Sequence, residues 1–529
     1  MLDRPMYLKP DVAIEPLFNQ WYVWWYLISP ATAPLFISRL HLKLMQSFVA
    51  NPDVHVAALQ NPALMGGPFI NHPVSRVNEV KALLERTTRE QADMLAYTKA
   101  VSDLEQLLAS AKGDSLEPLY AKVPDILRGY VELHYDLAHR ANARIMEPLL
   151  YRSGFYKESS QSISLMRVTG DARKYVFSTP RLEGDSPLWL QVPYRHEGID
   201  ALFRMRHTPG SPGQVAELLG VPSSAADAFA DLFTEQAPRK PEPYTGPGVR
   251  VRYFGHACVL METREVSVLT DPVISYEFPT SQNRFTHADL PEKIDYVLIT
   301  HGHADHLMME TLLQLRHRIG TIVVPRANAY SLADPSLRLV LEKTGFRNVV
   351  EIDDLQELQI PGGSLMGIPF IGEHSDLAVQ AKTAHLVRLA GRSLLMAADS
   401  NALEPRMYQH LTELVGPLDA LYLGMECEGG PMSWMYGPLL TQPLPRKMDQ
   451  SRRLNGSDSA RATEILNHLS PKEVFIYAMG QEPWLRHVMV LQYDESAPQM
   501  IESNKFIDVC KGRGIPAARP FLSMERILE

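Results

Sequence analysis

Residues 301–306 read His301-Gly302-His303-Ala304-Asp305-His306, directly after the apolar run Tyr296–Thr300. A chain that sets three imidazoles and a carboxylate at a strand end must build a loop that turns them toward one place. His301 and His303, two residues apart, can share one ion. Asp305 and His306 lie past the bend, at the start of the next helix, and can face a second. Ligation needs neutral imidazole and ionised carboxylate, both available at neutral pH. The bland alternative is a solvated polar loop, and the density of the cluster argues against it.

The chain around this motif is that of a folded globular protein. At ~100–200 residues per domain, 529 residues predict two to four domains. Hydrophobic residues at 45% and charged residues at 21% exclude disorder as the dominant state. Three scattered cysteines (Cys258, Cys427, Cys510) exclude a disulfide framework, and no CxxC pair supports a zinc ribbon. The net charge of −9 is uneven: residues 1–245 carry 25 Lys+Arg against 27 Asp+Glu, and the remainder 27 against 34. Neither half has the basic excess of a phosphate-backbone binder, so nucleic acid is not an expected partner. The first residues lack a basic region followed by an apolar core, so no signal peptide is read and a cytoplasmic protein is expected. The uncharged run Pro16–Ser38 contains Asn19, Gln20, Pro30 and Pro34. It reads as buried core rather than the ~20 mostly apolar residues of a membrane span.

Eleven residues, Pro238–Gly248, hold four prolines and two glycines and mark a boundary. Before it the rhythm is helical: Val77–Ala111 places Val80, Leu83, Met94, Val101, Leu104 and Leu108 at three-to-four spacing, and Ile126–Tyr151 reads the same way. Leu188–Val192 is the best strand candidate there. After it, short apolar runs alternate with helical stretches: Val251–Phe254, Val266–Thr270, Tyr296–Thr300, Thr321–Val324, Leu394–Ala397, Ala420–Leu423 and Val474–Ala478 read as strands. Met308–Arg318, Leu337–Thr344 and Ala460–Leu469 read as helices. The expected organisation is an α+β chain: a mostly helical domain over 1–237, a linker over 238–248, and a catalytic α/β domain over 249–529.

His301–His306 is the HxHxDH signature of the metallo-β-lactamase fold superfamily, and Gly255-His256-Ala257 and Leu269-Thr270-Asp271-Pro272 resemble that αββα fold as well. The resemblance makes Asp271 the buried aspartate that orients the ligand loop, with an ordinary turn aspartate as the alternative. It makes Asp399, in Ala397-Ala398-Asp399-Ser400, the carboxylate bridging two metals, with a helix cap as the alternative. The departure is Gly372-Glu373-His374-Ser375-Asp376: two-zinc hydrolases of this fold usually place a histidine ligand here. With Glu373 the inventory becomes three imidazoles and three carboxylates, and such a set favours harder ions than the nitrogen- and sulfur-rich sites of zinc.

Further segments narrow the resemblance: Glu15-Pro16-Leu17, Gln20-Trp21-Tyr22, Leu27 to Ala33, Met65-Gly66-Gly67-Pro68-Phe69 and Ala478-Met479-Gly480-Gln481-Glu482-Pro483-Trp484. Over essentially the whole chain they resemble the diiron β-hydroxylases of non-ribosomal peptide biosynthesis, the family known from the chloramphenicol pathway. The resemblance implies a monooxygenase with an oxo- or hydroxo-bridged pair of iron ions and O2 as cosubstrate. It would hydroxylate the β-carbon of an amino acid held as a phosphopantetheine thioester on a synthetase carrier domain. By position, His301, His303 and Glu373 would hold one iron and Asp305 and His306 the other. Asp399 would be the bridge, and Glu373 and Asp399 the residues on which catalysis turns. Two external electrons imply a separate reductase or ferredoxin, since no flavin or nicotinamide fingerprint is read. The family also implies a homodimer, with the first half supporting dimerisation and substrate access.

Other candidates carry weaker signals. His374 could supplement Glu373 but reads better as a neighbour that orients it. His487 falls roughly where the fold supplies a late histidine, yet reads as a surface residue. His256 reads as filling a tight turn, and Glu482 as substrate-binding, proton-relaying or simply exposed. Trp21, Trp24 and Trp25 read as core or dimer contact, Cys427 as an inert thiol, and Met435–Leu440 as a possible pocket wall. The rival functions are a dinuclear zinc thioesterase or lactonase, a non-catalytic docking protein and, weakest, a nuclease.

Overall fold

The computed structural model describes residues 4–61, 64, 66–328, 331–490 and 493–529. Met65 of the Met65–Phe69 segment lies outside them. The second half is a sandwich of two seven-stranded sheets. One runs, in spatial order, Val349–Ile352, Ile319–Pro325, Ile294–Leu298, Ser267–Thr270, Cys258–Glu262, Val249–Gly255 and Met524–Leu528. The other runs Glu357–Ile360, Gly363–Ile368, Ala384–Leu389, Arg392–Met396, Leu418–Gly424, Pro471–Tyr477 and Ala517–Ala518. Val251, Val259, Val268, Leu298 and Val323 face Leu365, Val387, Leu394, Met396 and Tyr422 in the apolar layer between them. Helices Met309–Leu315 and Leu337–Lys343 cover the first sheet; Arg406–Val415, Ser459–His468 and Pro498–Gly512 cover the second. The strands read from apolar runs are all present. They include every member of the parallel ladders except the edge strands, because a parallel strand buried on both faces is a continuous apolar run.

The first half is helical around a small sheet. Helices Val77–Glu90 and Ala92–Ala109 carry the expected apolar face, with Val80, Leu83, Met94, Val101, Leu104 and Leu108 buried. The sheet pairs Val12–Phe18 with Trp21–Tyr22 and Gln161–Arg167, and the latter with Leu188–Leu190. The helical reading of Ile126–Tyr151 is corrected. Val131–Tyr135 and Ala141–Ile145 form an antiparallel hairpin, closed by a turn in which Asp136 accepts from Ala138 N and Arg140 N. Val131 and Leu133 are buried and Glu132 and His134 are not, a period of two that three-to-four spacing concealed.

The largest apolar cluster crosses both halves, joining Trp24, Phe36 and Tyr97 to Phe254, Leu312 and Tyr436. The uncharged run is core: residues from Trp21 to Ile28 are at most 4% exposed. No helix among the described residues is long and apolar enough to cross a membrane.

Candidate metal centre

Parallel strands deliver their following loops to one edge of the sandwich. Asp271 follows Ser267–Thr270, His301 follows Ile294–Leu298, Glu373 follows Gly363–Ile368 and Asp399 follows Arg392–Met396. At that edge ligand atoms of His301, His303, Glu373 and Asp399 converge, and beside them those of His256, Asp305 and His306. Within each group the atoms lie within 4.8 Å of one another. Glu373 Oε1 is 3.1 Å from His303 Nδ1, and Asp399 Oδ2 is 3.1 Å from His306 Nε2 and 3.6 Å from His301 Nε2. Asp399 therefore stands between the two groups. All six residues assigned from the sequence lie in this cluster.

The neighbours fix which nitrogen of each ring faces the centre. Asp271 Oδ1 accepts from Thr300 N (2.8 Å), and its Oδ2 accepts from Thr300 Oγ1 (2.7 Å) and from His306 Nδ1 (2.9 Å). His306 thus presents a bare Nε2, and Asp271 performs the orienting task. With its proton given to Asp271, Thr300 Oγ1 accepts from His301 Nδ1 at 3.0 Å, leaving His301 Nε2 bare as well. His303 turns Nδ1 inward: its Nε2 donates to Tyr436 Oη (2.8 Å), which donates to His374 Nδ1 (2.7 Å). His374 thereby supports His303 through Tyr436, rather than the neighbouring Glu373 that the sequence reading paired it with.

His256 sits in the tight turn between Val249–Gly255 and Cys258–Glu262, at φ 52°. Its Nδ1 accepts from Gly480 N at 3.1 Å, so the proton of the neutral ring lies on Nε2, 3.0 Å from Asp305 Oδ2. A protonated nitrogen does not ligate, so His256 steadies Asp305 although its position falls among the converging atoms.

These residues fit a pair of metal ions. His306 Nε2 and Asp399 Oδ1 are buried without hydrogen-bond partners. Burial, then Asp399 and Asp305 beside it, pushes the Glu373 carboxyl well above its ordinary range. Burial likewise lowers His301, with its neighbouring imidazoles adding to the effect. Carboxylates so crowded stay ionised only beside cations.

A cavity of about 490 Å³ opens onto His303, Asp305, Glu373 and Asp399. Trp21, Trp24 and Phe36 of the first half form much of its wall, with Phe177 and Trp434. Trp21 and Trp24 are thus both core and cavity lining, a correction to the purely structural reading. Trp21 is held by stacking on His41, ring centres 3.9 Å apart. Two further readings are corrected. His487 is 5% exposed and lies 3.9 Å from Glu310 in a buried network where Tyr22 and Tyr276 each donate to Glu310 at 2.7 Å. Glu482 is 1% exposed and accepts from Tyr253 Oη, so neither residue is on the surface. Tyr436 was only part of a possible pocket wall in the sequence, and its role needs the fold to be visible.

Fold and site together define a dinuclear metal enzyme of the β-lactamase superfamily. The profile of that superfamily's domain matches residues 267–433, and that of the "Diiron non-heme beta-hydroxylase N-terminal domain" matches residues 7–238. The 4-amino-L-phenylalanyl–CmlP-peptidyl-carrier-protein 3-hydroxylase of Streptomyces venezuelae is 41% identical over 520 residues, 97% of this chain and 98% of the relative. The crystal structure of CmlA, a diiron β-hydroxylase from Streptomyces venezuelae, superposes with a TM-score of 0.93 at 39% identity, covering 99% of this chain and 100% of that one. A mutant of the CmlA β-hydroxylase superposes with a TM-score of 0.90. The chain belongs to the non-haem diiron β-hydroxylase family. It is a monooxygenase, and its cofactor is a pair of iron ions.

Proposed function

We propose that this chain hydroxylates the β-carbon of an amino acid carried as a phosphopantetheine thioester on a peptidyl carrier domain of a non-ribosomal peptide synthetase. The relative's carrier-bound aminoacyl substrate supports the substrate class. The observation that carries the metal assignment is Glu373, set 3.1 Å from His303 where a zinc hydrolase would place a histidine. His301, His303 and Glu373 would hold one iron and Asp305 and His306 the other, with Asp399 standing between the two groups. The dinuclear zinc hydrolase, the alternative reading, is not favoured by this donor set or by the family.

The irons, when bound, supply the redox chemistry that activates O2. The balance is one C–H bond, one O2, two electrons and two protons in, with one C–OH bond and one water out. The electrons come from an external reductase or ferredoxin. The chain's own residues shape the reaction: Asp271, Thr300 and Tyr436 hold the imidazoles in the ligating tautomer, and Trp21, Trp24 and Phe36 give the cavity an aromatic wall. We read residues 1–237 as the access domain, 238–248 as its linker and 249–529 as the catalytic domain. The cavity wall supports that division, since most of its aromatic lining (Trp21, Tyr22, Trp24, Phe36 and Phe177) comes from the first segment. Dimerisation through the first domain rests on the family resemblance, and sedimentation showing only monomer would remove it. We read the reaction as cytoplasmic, the compartment in which a synthetase and a reductase would meet this chain.

The test is intact-mass analysis of an aminoacyl-loaded carrier after incubation with iron-loaded enzyme, reductant and 18O2. The expected product is the loaded carrier heavier by one oxygen atom drawn from O2. Release of the free amino acid without oxygen incorporation would identify a thioesterase instead.

A further inference from the structure

The cavity that reaches the metal centre has three charged side chains in its wall beyond the ligands: Glu426, Glu428 and Arg453. Arg453 is engaged, its Nε donating to Gly429 O (2.9 Å) and Nη1 to Gln450 Oε1 (3.2 Å). Glu428 is exposed. Glu426 differs from both. It follows strand Leu418–Gly424, and its backbone carbonyl accepts from Gly456 N at 2.8 Å. Its carboxylate makes no hydrogen bond or ion pair to any described residue. A half-buried carboxylate in a cavity wall with no partner of its own gains a charge-assisted hydrogen bond from an ammonium brought beside it. The irons take their carboxylates from the ligand set, which leaves Glu426 to face the substrate.

We propose that Glu426 binds the α-ammonium group of the aminoacyl thioester, so that the enzyme selects amino-acyl over deaminated acyl chains and presents Cβ to the centre. The inference rests on the carrier-bound aminoacyl reading above. That substrate carries one cation at the reacting end, one carbon away from the C–H bond to be broken, and of the two wall carboxylates outside the ligand set Glu426 is the one set back from solvent to receive it. An ammonium fixed at that distance restricts the Cβ position, which is how binding energy becomes orientation.

The test compares a carrier loaded with 4-amino-L-phenylalanine and one loaded with 3-(4-aminophenyl)propionate, using iron-loaded wild-type, Glu426→Gln and Glu426→Asp proteins. The wild type should hydroxylate the amino-acyl carrier about 10- to 100-fold faster in kcat/KM, the worth of one hydrogen bond to a charged group. In Glu426→Gln that preference should collapse toward one through loss of the amino-acyl rate, with iron content and visible absorption retained. Glu426→Asp, which keeps the charge on a shorter arm, should restore part of it. A preference unchanged in Glu426→Gln would overturn the inference, as would loss of iron, which would make Glu426 a ligand. A wild type that oxidises neither these carriers nor carriers loaded with other aromatic and aliphatic amino acids would instead overturn the substrate reading beneath it.

Discussion

Gly302 separates two ligands in the motif, and the fold gives it a steric reason. A Cβ there would lie 2.6 Å from Trp25 Cε2 and Nε1, so the indole of the first half closes directly over the ligand loop. Gly424 plays the same part for Asp399, where a Cβ would stand 2.6 Å from Oδ1. Gly302→Ala should cost about 1–3 kcal/mol through overpacking and displace His301 and His303. Denaturation together with metal analysis should show lower stability and less than two irons bound; wild-type values in both would refute the packing argument. Glu373→His should still bind metal but lose hydroxylation by at least about 100-fold, because it restores a nitrogen-rich donor set. Retained hydroxylation in that variant would mean the carboxylate is dispensable. His301, His303, Asp305 and His306 were legible because their spacing is local, whereas Glu373 and Asp399 were read through the family resemblance. Trp25, Tyr436 and Gly424 were not legible, since each meets its ligand only through the tertiary fold; Tyr436 is 133 positions from His303.

Helix Met432–Tyr436 shows how a short element sets ligand chemistry. Its last residue links His303 to His374, and Tyr436→Phe leaves His303 Nε2 without its acceptor. Iron affinity should fall about 10- to 100-fold, the usual cost of losing a partner that orients a ligand, with the fold intact. Competition with a chelator measures this, and an unchanged affinity would show that the link does not matter. Of the strands that carry the ligand loops, Ser267–Thr270, Ile294–Leu298 and Arg392–Met396 announced themselves as apolar runs, whereas Gly363–Ile368, ahead of Glu373, did not. Edge and hairpin strands such as Glu357–Ile360 and Val131–Tyr135 did not. They are short and half exposed, and their alternation over four or five residues is too brief to separate from a helical spacing.

At the scale of the whole molecule the two halves share one core, and a buried carboxyl couples their docking to pH. Glu147 is 4% exposed and accepts from Ser29 Oγ (2.8 Å) and from Ser336 N (2.9 Å), which begins the turn into helix Leu337–Lys343. Burial pushes its carboxyl up to about 7, against 4.5 when unfolded. The folded state holds this proton more tightly. Its contribution is therefore complete below about 4.5 and is lost as pH rises through about 7, an effect of about 3 kcal/mol. Glu147→Gln stays neutral, so the stability of wild type relative to this variant should fall by about that amount between pH 5 and pH 8. A difference that stays constant over that range would contradict the assignment. None of this was legible from Glu147 in sequence, because burial and both partners come from distant segments. The most direct test of the central claim is metal content with an optical spectrum, on protein grown in iron-replete medium, handled without oxygen and then exposed to air. The account predicts two irons per chain and oxo-bridged charge-transfer absorption. Two zincs and no visible band would contradict it.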